Sequence, residues 1–284
     1  MDRTSNPETL IAIGQLCSTA NPHQNLLTSQ KLAQVASTQG AKALFLPEAT
    51  DYITTPGSPP HSRSPSPFQS PHPPSSSGSN PPPRNTQSPS TIWINERGEI
   101  VGSYDKLHLF DYAAAGLRES DGVEAGAEIV KPIETIVGRV GLLICFDLRF
   151  PEPAIALRNL NTQILTYPSA FTVPTGKLHW ETLLRARAIE TQSYVIAAAQ
   201  VGSHNEKRTS YGHSMVIDPQ GRVLLDMGDE GEDGGKVGVV GIDLERVSET
   251  REKMPLLRRI SFRLMIMMLE WRLESRRITG TLSQ

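Results

Sequence analysis

Twelve residues, from Gly141 to Glu152, constrain this chain more than any others. Val140 to Ile144 is a short, continuously apolar run, the pattern of a strand buried on both faces. It ends on Cys145, and the polarity then changes at once to Asp147, Arg149 and Glu152. Pro151 suits the first turn of a helix, where a missing N–H costs nothing. The pattern predicts strand, sharp turn and helix, with a thiol at the turn. Such a geometry exposes a nucleophile and aims free N–H groups at the atom it attacks. A cysteine closing an apolar strand is ordinarily a core filler. Here a helix N-terminus and neighbouring cations, both of which stabilise a thiolate, lie within a few residues. Cys145 is the candidate nucleophile.

Around it the chain alternates strands and helices. Leu10 to Leu16 reads as a strand, with Cys17 at its end most simply a core residue. Asn25 to Gln39 has helical spacing and is stopped by Gly40, and Ala43 to Leu46 is a second buried strand. Strand, helix, strand implies a parallel pair with a right-handed crossover. Glu48 therefore falls at the carboxyl edge of a sheet, where open α/β sheets build their sites. Taken alone, it reads more simply as a solvated loop carboxylate, as most glutamates do. Thr91 to Asn95 and Glu99 to Tyr104 form a hairpin that delivers Lys106, and a snorkelling surface lysine is the plainer alternative there. Glu134 to Val137 pairs with the strand that leads to Cys145. Ala154 to Leu160 and His179 to Gln192 are helices, with Arg185, Arg187 and Glu190 of the second a salt-bridged set. Ile164 to Tyr167, Tyr194 to Gln200, Tyr211 to Ile217, Val223 to Asp226 and Lys236 to Asp243 are strands, and Leu244 to Lys253 closes the fold as a helix.

Two stretches do not fit. Thr54 to Ser90 is nearly all proline, serine, glycine and asparagine, with Phe68 its single large apolar residue. It cannot bury enough surface to offset chain entropy and reads as disordered, with His61 and His72 inert. From Ile260 a Met-rich tail carries apolar residues among several arginines, too short a run to span a bilayer. The expected organisation is a domain over residues 9–259, interrupted at 54–90, followed by an atypical tail over 260–284.

Composition narrows the function. A formal net charge of −2 with interspersed signs gives no basic stripe for nucleic acid. Two cysteines make no disulfide framework and suit a reducing compartment. The N-terminus has neither a secretory core nor transit-peptide character. The expectation is a cytoplasmic protein, a mitochondrial location being left open, with no membrane span. No metal cluster, dinucleotide fingerprint or phosphate loop is present in the sequence, so no cofactor and no metal are expected.

Three ordered blocks now carry a likeness. Leu46-Pro47-Glu48, Asp105 to Asp111, and Leu143 to Glu152 resemble the signature blocks of the nitrilase (carbon–nitrogen hydrolase) superfamily. Tyr167 to Phe171, His179 to Glu190 and Ser210 to Gly221 resemble its Nit branch, and within it the deaminated glutathione amidases. The resemblance implies an α/β fold, a four-layer αββα sandwich that usually forms a homodimer. It implies a thiol amidase in which Cys145 attacks the amide carbonyl and Glu48 moves protons. Lys106 and the Phe146 backbone N–H would stabilise the oxyanion, and Glu119 would orient the lysine. By the same likeness Arg149 holds a substrate carboxylate, with Phe171 and Thr175 nearby. The implied substrate is a small keto-acid amide: deaminated glutathione, or alternatively 2-oxoglutaramate for an ω-amidase.

The sequence also departs from that family. Its members carry a helix and a central strand where Thr54 to Ser90 stands, and the connection from Lys106 to Glu119 is short. Loss of a central strand would outweigh the roughly 5–15 kcal/mol by which domains are stable. A catalytically dead splice or gene-model variant is therefore a further alternative, and an uninterrupted transcript across both junctions would dismiss it.

Overall fold

The computed structural model describes residues 8–51, 53, 89–112 and 117–257. The Pro/Ser-rich stretch, but for its last two residues, and the Met-rich tail from Ile260 lie outside them, as do His61 and His72. In chain order the elements are β1 (Thr9–Gln15), α1 (Pro22–Thr38), β2 (Leu44–Phe45), β3 (Ser90–Ile94), β4 (Ile100–Asp105), β5 (Asp111–Tyr112) and β6 (Leu117–Arg118). After a 3-10 turn at Glu119–Asp121 come β7 (Ile133–Thr135) and β8 (Gly138–Leu142). A second 3-10 helix, Cys145–Arg149, leads into α2 (Pro151–Asn159). The remainder is β9 (Ile164–Thr166), α3 (Val173–Thr191), β10 (Tyr194–Ala197), β11 (Val201–Asn205), β12 (Arg208–Tyr211), β13 (Met215–Ile217), β14 (Val223–Asp226), β15 (Lys236–Ile242) and α4 (Glu245–Lys253). Residues from Arg251 onward make a separate unit, of which only the end of α4 and residues 254–257 are described.

The first unit is the expected αββα sandwich. One sheet has the order β15-β1-β2, with β1 antiparallel to β15 and parallel to β2. The other has six strands in the order β14-β13-β10-β9-β8-β7, parallel through β8, β9 and β10 and antiparallel at both flanks. Hairpins β3-β4, β5-β6 and β11-β12 complete the described strands. Ile11 and Ile13 of β1 share one core with Val140, Ile164, Leu165, Val195 and Val216 of the larger sheet, while Trp180, Leu184 and Ala188 of α3 cover its outer face. The fully buried residues of β8 to β10 fit parallel strands covered on both sides.

Several boundaries differ from expectation, each for a local reason. Helix α1 begins at Pro22, three residues early, because the Asn21 side chain accepts the Gln24 N–H at 3.2 Å and proline is favoured in a first turn. Helix α3 likewise begins at Val173 with Pro174 in its first turn, six residues before His179. Strand β8 stops at Leu142, since the Ile144 N–H turns aside to the Asp147 carboxylate. The hairpin β11-β12 was not anticipated. Tyr211 belongs to it and not to β13, because Gly212 and His213 both take positive φ and turn the chain. Cys17 is half-exposed and not a core residue; its sulfur sits 3.4 Å from His204 Nδ1. Arg187 pairs with Glu190 as expected, whereas Arg185 pairs with Glu181.

Ile164 lies in the central parallel strand with no exposed surface. Ile164→Ala should destabilise the protein by about 2–5 kcal/mol, read from the midpoint of chemical denaturation. A change below the usual surface-substitution scatter would mean that the two sheets do not share this core.

Candidate active site

The ends of three elements converge. Glu48 lies in the turn after β2, Lys106 follows β4, and Cys145 opens the 3-10 helix after β8. The Lys106 side chain is almost fully buried, and its ammonium donates to Glu48 Oε1 at 2.7 Å and to both carboxylate oxygens of Glu119 at 3.0 Å. Glu119 is held in turn by the Phe110 N–H at 2.6 Å. The Cys145 thiol stands within electrostatic reach of the Glu48 carboxylate and is approached by the backbone of Ala170. Glu48, Lys106, Glu119 and Cys145 are thus brought into one cluster.

The electrostatics follow from burying one cation with two carboxylates. Burial opposes the ammonium of Lys106, but the facing charges of Glu48 and Glu119 override it and hold the lysine protonated well above its usual range. Burial likewise opposes ionisation of Glu48, and here the Lys106 charge and hydrogen bond win, leaving its carboxyl below the usual value. For Glu119 burial prevails, with Glu48 as a like-charged neighbour, so its carboxyl is raised. Burial and the Glu48 charge push the Cys145 thiol upward, and Lys106 only partly offsets them. The expectation of a thiolate stabilised by a helix end and cations is therefore corrected. The resting group is a thiol beside an ionised carboxylate, because desolvation outweighs a single 3-10 turn of oriented N–H groups.

Backbone geometry fixes the nucleophile. Cys145 has φ +41 and Ala49, beside Glu48, has φ +56, strained positions for residues with a Cβ. The Cys145 N–H is bound by Pro168 O at 3.0 Å and the Asp147 N–H by Ile144 O at 2.9 Å. The Phe146 N–H between them has no acceptor among the described residues, and is the donor left for a ligand oxygen.

The sequence reading missed the residues that hold this geometry. Asp147, with no exposed surface, accepts from Tyr104 OH at 2.7 Å, the Ile144 N–H at 3.0 Å and the His108 N–H at 3.0 Å, and its Oδ1 also lies 2.8 Å from His108 Nδ1. An ionised carboxylate is an acceptor with about four lone-pair sites, so this one joins the strand end before Lys106 to the turn carrying Cys145. Buried Gln200 donates to Glu48 O at 3.0 Å and accepts the Ser18 N–H at 2.9 Å, fixing the turn of the glutamate. Arg187 donates to Leu148 O at 2.9 Å and ties the same 3-10 helix to α3. Asp147 stood inside the cysteine block, three residues after Ile144, and that capping spacing was its available signal.

The outlying candidates divide. The Arg149 guanidinium carbon lies 5.7 Å from the centroids of both the Phe146 and Phe171 rings, and Phe171 packs on Trp180 at 4.7 Å. Thr175 is instead engaged by its own turn, its hydroxyl 2.8 Å from that of Thr172, and no described contact joins it to Arg149. Among the described residues no group of three or more His, Cys, Asp or Glu is placed to hold a metal, and no helix is long and apolar enough to cross a membrane.

Residues 79–252 match the carbon-nitrogen hydrolase family, and the chain belongs to it. It is an enzyme that hydrolyses carbon–nitrogen bonds other than peptide bonds, an amidase of the nitrilase superfamily. It is 40% identical to a probable hydrolase, nit2, of Schizosaccharomyces pombe, over 88% of this chain and 97% of that one. It is 38% identical to the human deaminated glutathione amidase, over 87% of this chain and 80% of that one. Among solved structures it resembles the Caenorhabditis elegans NitFhit protein with a TM-score of 0.75 at 33% identity, covering 90% of this chain and 66% of that one. Saccharomyces cerevisiae Nit3, a member of branch 10 of the nitrilase superfamily, gives 0.73 at 26% identity, covering 92% and 99%.

Burial disfavours the charged thiolate, so the titration midpoint of Cys145 moves to higher pH. Its alkylation by iodoacetamide, followed residue by residue with mass spectrometry, should still be rising past about pH 10, by which an ordinary thiol, half-ionised near about pH 8.5, has levelled off. A plateau at or below about pH 10 would contradict the electrostatics described.

Proposed function

We propose that this amidase uses Cys145, Glu48 and Lys106 to cleave a small keto-acid amide, with deaminated glutathione as its substrate. One observation carries the reading: a buried ammonium bracketed by two carboxylates, one of which faces a buried thiol. In the first half-reaction Cys145 Sγ attacks the amide carbonyl carbon as its proton passes to Glu48. The oxygen that gains charge is met by Lys106 and the Phe146 N–H. Glu48 then gives the proton to the leaving nitrogen as the C–N bond breaks, leaving a thioester and the free amine. In the second half-reaction Glu48 takes a proton from water, hydroxide attacks the thioester, and the C–S bond breaks as Cys145 recovers the proton. The sum is amide plus water to carboxylic acid plus amine: 2-oxoglutarate and cysteinylglycine from deaminated glutathione. Glu119, hydrogen-bonded to Lys106 and to the Phe110 N–H, keeps the ammonium in place as it shifts toward the oxyanion.

Arg149 supports the acidic character of the substrate. It stands beside Phe146 with no carboxylate partner among the described residues, and a planar guanidinium suits a carboxylate held by two bonds. In a site where two carboxylates surround one lysine, an anionic substrate needs such a cation. Similarity to relatives named deaminated glutathione amidase selects that substrate over 2-oxoglutaramate. The Phe171 ring packs beside the Arg149 guanidinium, and Thr175 stands in the first turn of α3. The domain extends over residues 9–259, interrupted at 54–90 by the Pro/Ser-rich stretch. Free thiols at Cys17 and Cys145 suit a reducing compartment, and we place the enzyme in the cytoplasm.

We also infer a homodimer formed through the outer helices, since Leu160, Leu178 and Ile189 are exposed on or beside α2 and α3. Wild-type protein should sediment as a dimer and Leu178→Glu should shift it toward monomer. A wild-type monomer at micromolar concentration would end this reading. The decisive assay is release of 2-oxoglutarate from deaminated glutathione and, separately, from 2-oxoglutaramate. Turnover should favour the former, and Cys145→Ala should lower it by at least about 10⁴-fold, the scale seen when a nucleophile is removed. A folded protein that turns over neither substrate would overturn the proposal, and a ratio favouring 2-oxoglutaramate would make the enzyme an ω-amidase.

A further inference from the structure

Among the described residues the end of the Arg149 side chain meets one polar group. Both of its terminal nitrogens lie 3.3 Å from Nδ1 of His179. A guanidinium has only donors, so Nδ1 is the acceptor and the imidazole is neutral, with its proton on Nε2. Two N–H groups converge on one lone pair, which leaves three of the five guanidinium donors for another partner. The rings of Phe146 and Phe171, each with its centroid 5.7 Å from the guanidinium carbon, restrict the remaining freedom of the group.

His179 is well placed to set that orientation because its own position is fixed. The next residue, Trp180, is 1% exposed, packs its ring on Phe171 at 4.7 Å and donates from Nε1 to His213 O at 2.8 Å. The second turn of α3 is thereby anchored in the core. An arginine free to sample its rotamers would lose conformational entropy on gripping a substrate, whereas one already aimed loses less.

From this geometry we infer that His179 is a positioning residue which aims Arg149 and so sets the preference of the enzyme for amides that carry a carboxylate. The inference rests on the reading of Arg149 as the carboxylate-binding group. His179 touches no reacting atom; it acts through the arginine. The sequence marked it only as the start of a helical pattern and of a block resembling the Nit branch.

The test compares 2-oxoglutaramate with 4-oxopentanamide, the same keto amide with a methyl group in place of the carboxylate. The quantity read is the ratio of their kcat/KM values. His179→Phe keeps a ring of similar shape and removes the acceptor, and should lower that ratio about tenfold, through KM for the charged amide, as expected when one orienting hydrogen bond to a charged group is lost. His179→Leu should do the same, and serves if the Phe variant does not fold. His179→Asn offers Oδ1 close to the place of Nδ1 and should restore most of the ratio. A purely structural role would lower thermal stability and depress both substrates alike, leaving the ratio unmoved. An unchanged ratio in the Phe and Leu variants, or no restoration by Asn, overturns the inference. Arg149→Gln separates the two levels of the argument. If it too leaves the ratio unchanged, the reading of Arg149 has failed; if it collapses the ratio while the His179 variants do not, only the role of His179 has.

Discussion

A buried ammonium held between two carboxylates is the interaction on which this site depends. Lys106 has almost no exposed side-chain surface, and Glu48 and Glu119 reach it at 2.7 and 3.0 Å. Removing a cation from water is costly, and only close partners with satisfied hydrogen bonds make it tolerable. The two carboxylates do so for Lys106, and in return each is fixed at a site where the low dielectric makes its charge felt. The asymmetry of the cluster then sets the protonation states. Glu48 remains ionised because it has the shortest bond to the lysine, and Cys145 keeps its proton because it faces that carboxylate in a dry setting. The protonation states of Glu48 and Cys145 are therefore set by their surroundings and not by their intrinsic acidity.

The fold is arranged to hold three chain segments at one edge. Parallel strands β8, β9 and β10 end together, and isolated bridges at Leu16–Gln200 and Ser169–Ala199 stitch the neighbouring strand ends to them. Asp147 does the corresponding work on the other side, collecting donors from the segments before Lys106 and before Cys145 on a single carboxylate. Strained φ values at Ala49 and Cys145 persist because these bonds over-determine the turns. Glu48, Lys106 and Cys145 stand on separate segments, and buried Gln200 and Asp147 tie those segments in place.

Much of the architecture was legible. The apolar runs at Val140–Ile144, Ile164–Tyr167 and Tyr194–Gln200 are strands within a few residues of their expected limits, since parallel strands covered on both faces leave an uninterrupted hydrophobic signature. Helix starts were less legible. Pro22 and Pro174 look like interruptions in sequence, yet each stands in a first turn, where proline is tolerated. The β11-β12 hairpin was missed because Gly202-Ser203-His204-Asn205 carries polar residues with no strict alternation. Its register also contains an irregularity between Ser203 and Asn205.

The order of apolar and polar residues along the chain placed Cys145, Glu48 and Lys106 at the ends of strands, and the likeness of their three blocks to one family joined them into a candidate site. What only the tertiary structure decided was the state of those groups and the identity of their keepers. Whether Cys145 rests as thiol or thiolate depends on how completely the surrounding elements exclude water, a property no spacing records. That Asp147 accepts from Tyr104 and His108, that Gln200 holds the Glu48 turn, and that His179 meets Arg149 each join residues 30 to 152 positions apart. Contacts at such separations exist only once both sheets are packed, because it is the packing that removes the competing water and leaves each buried donor a single partner.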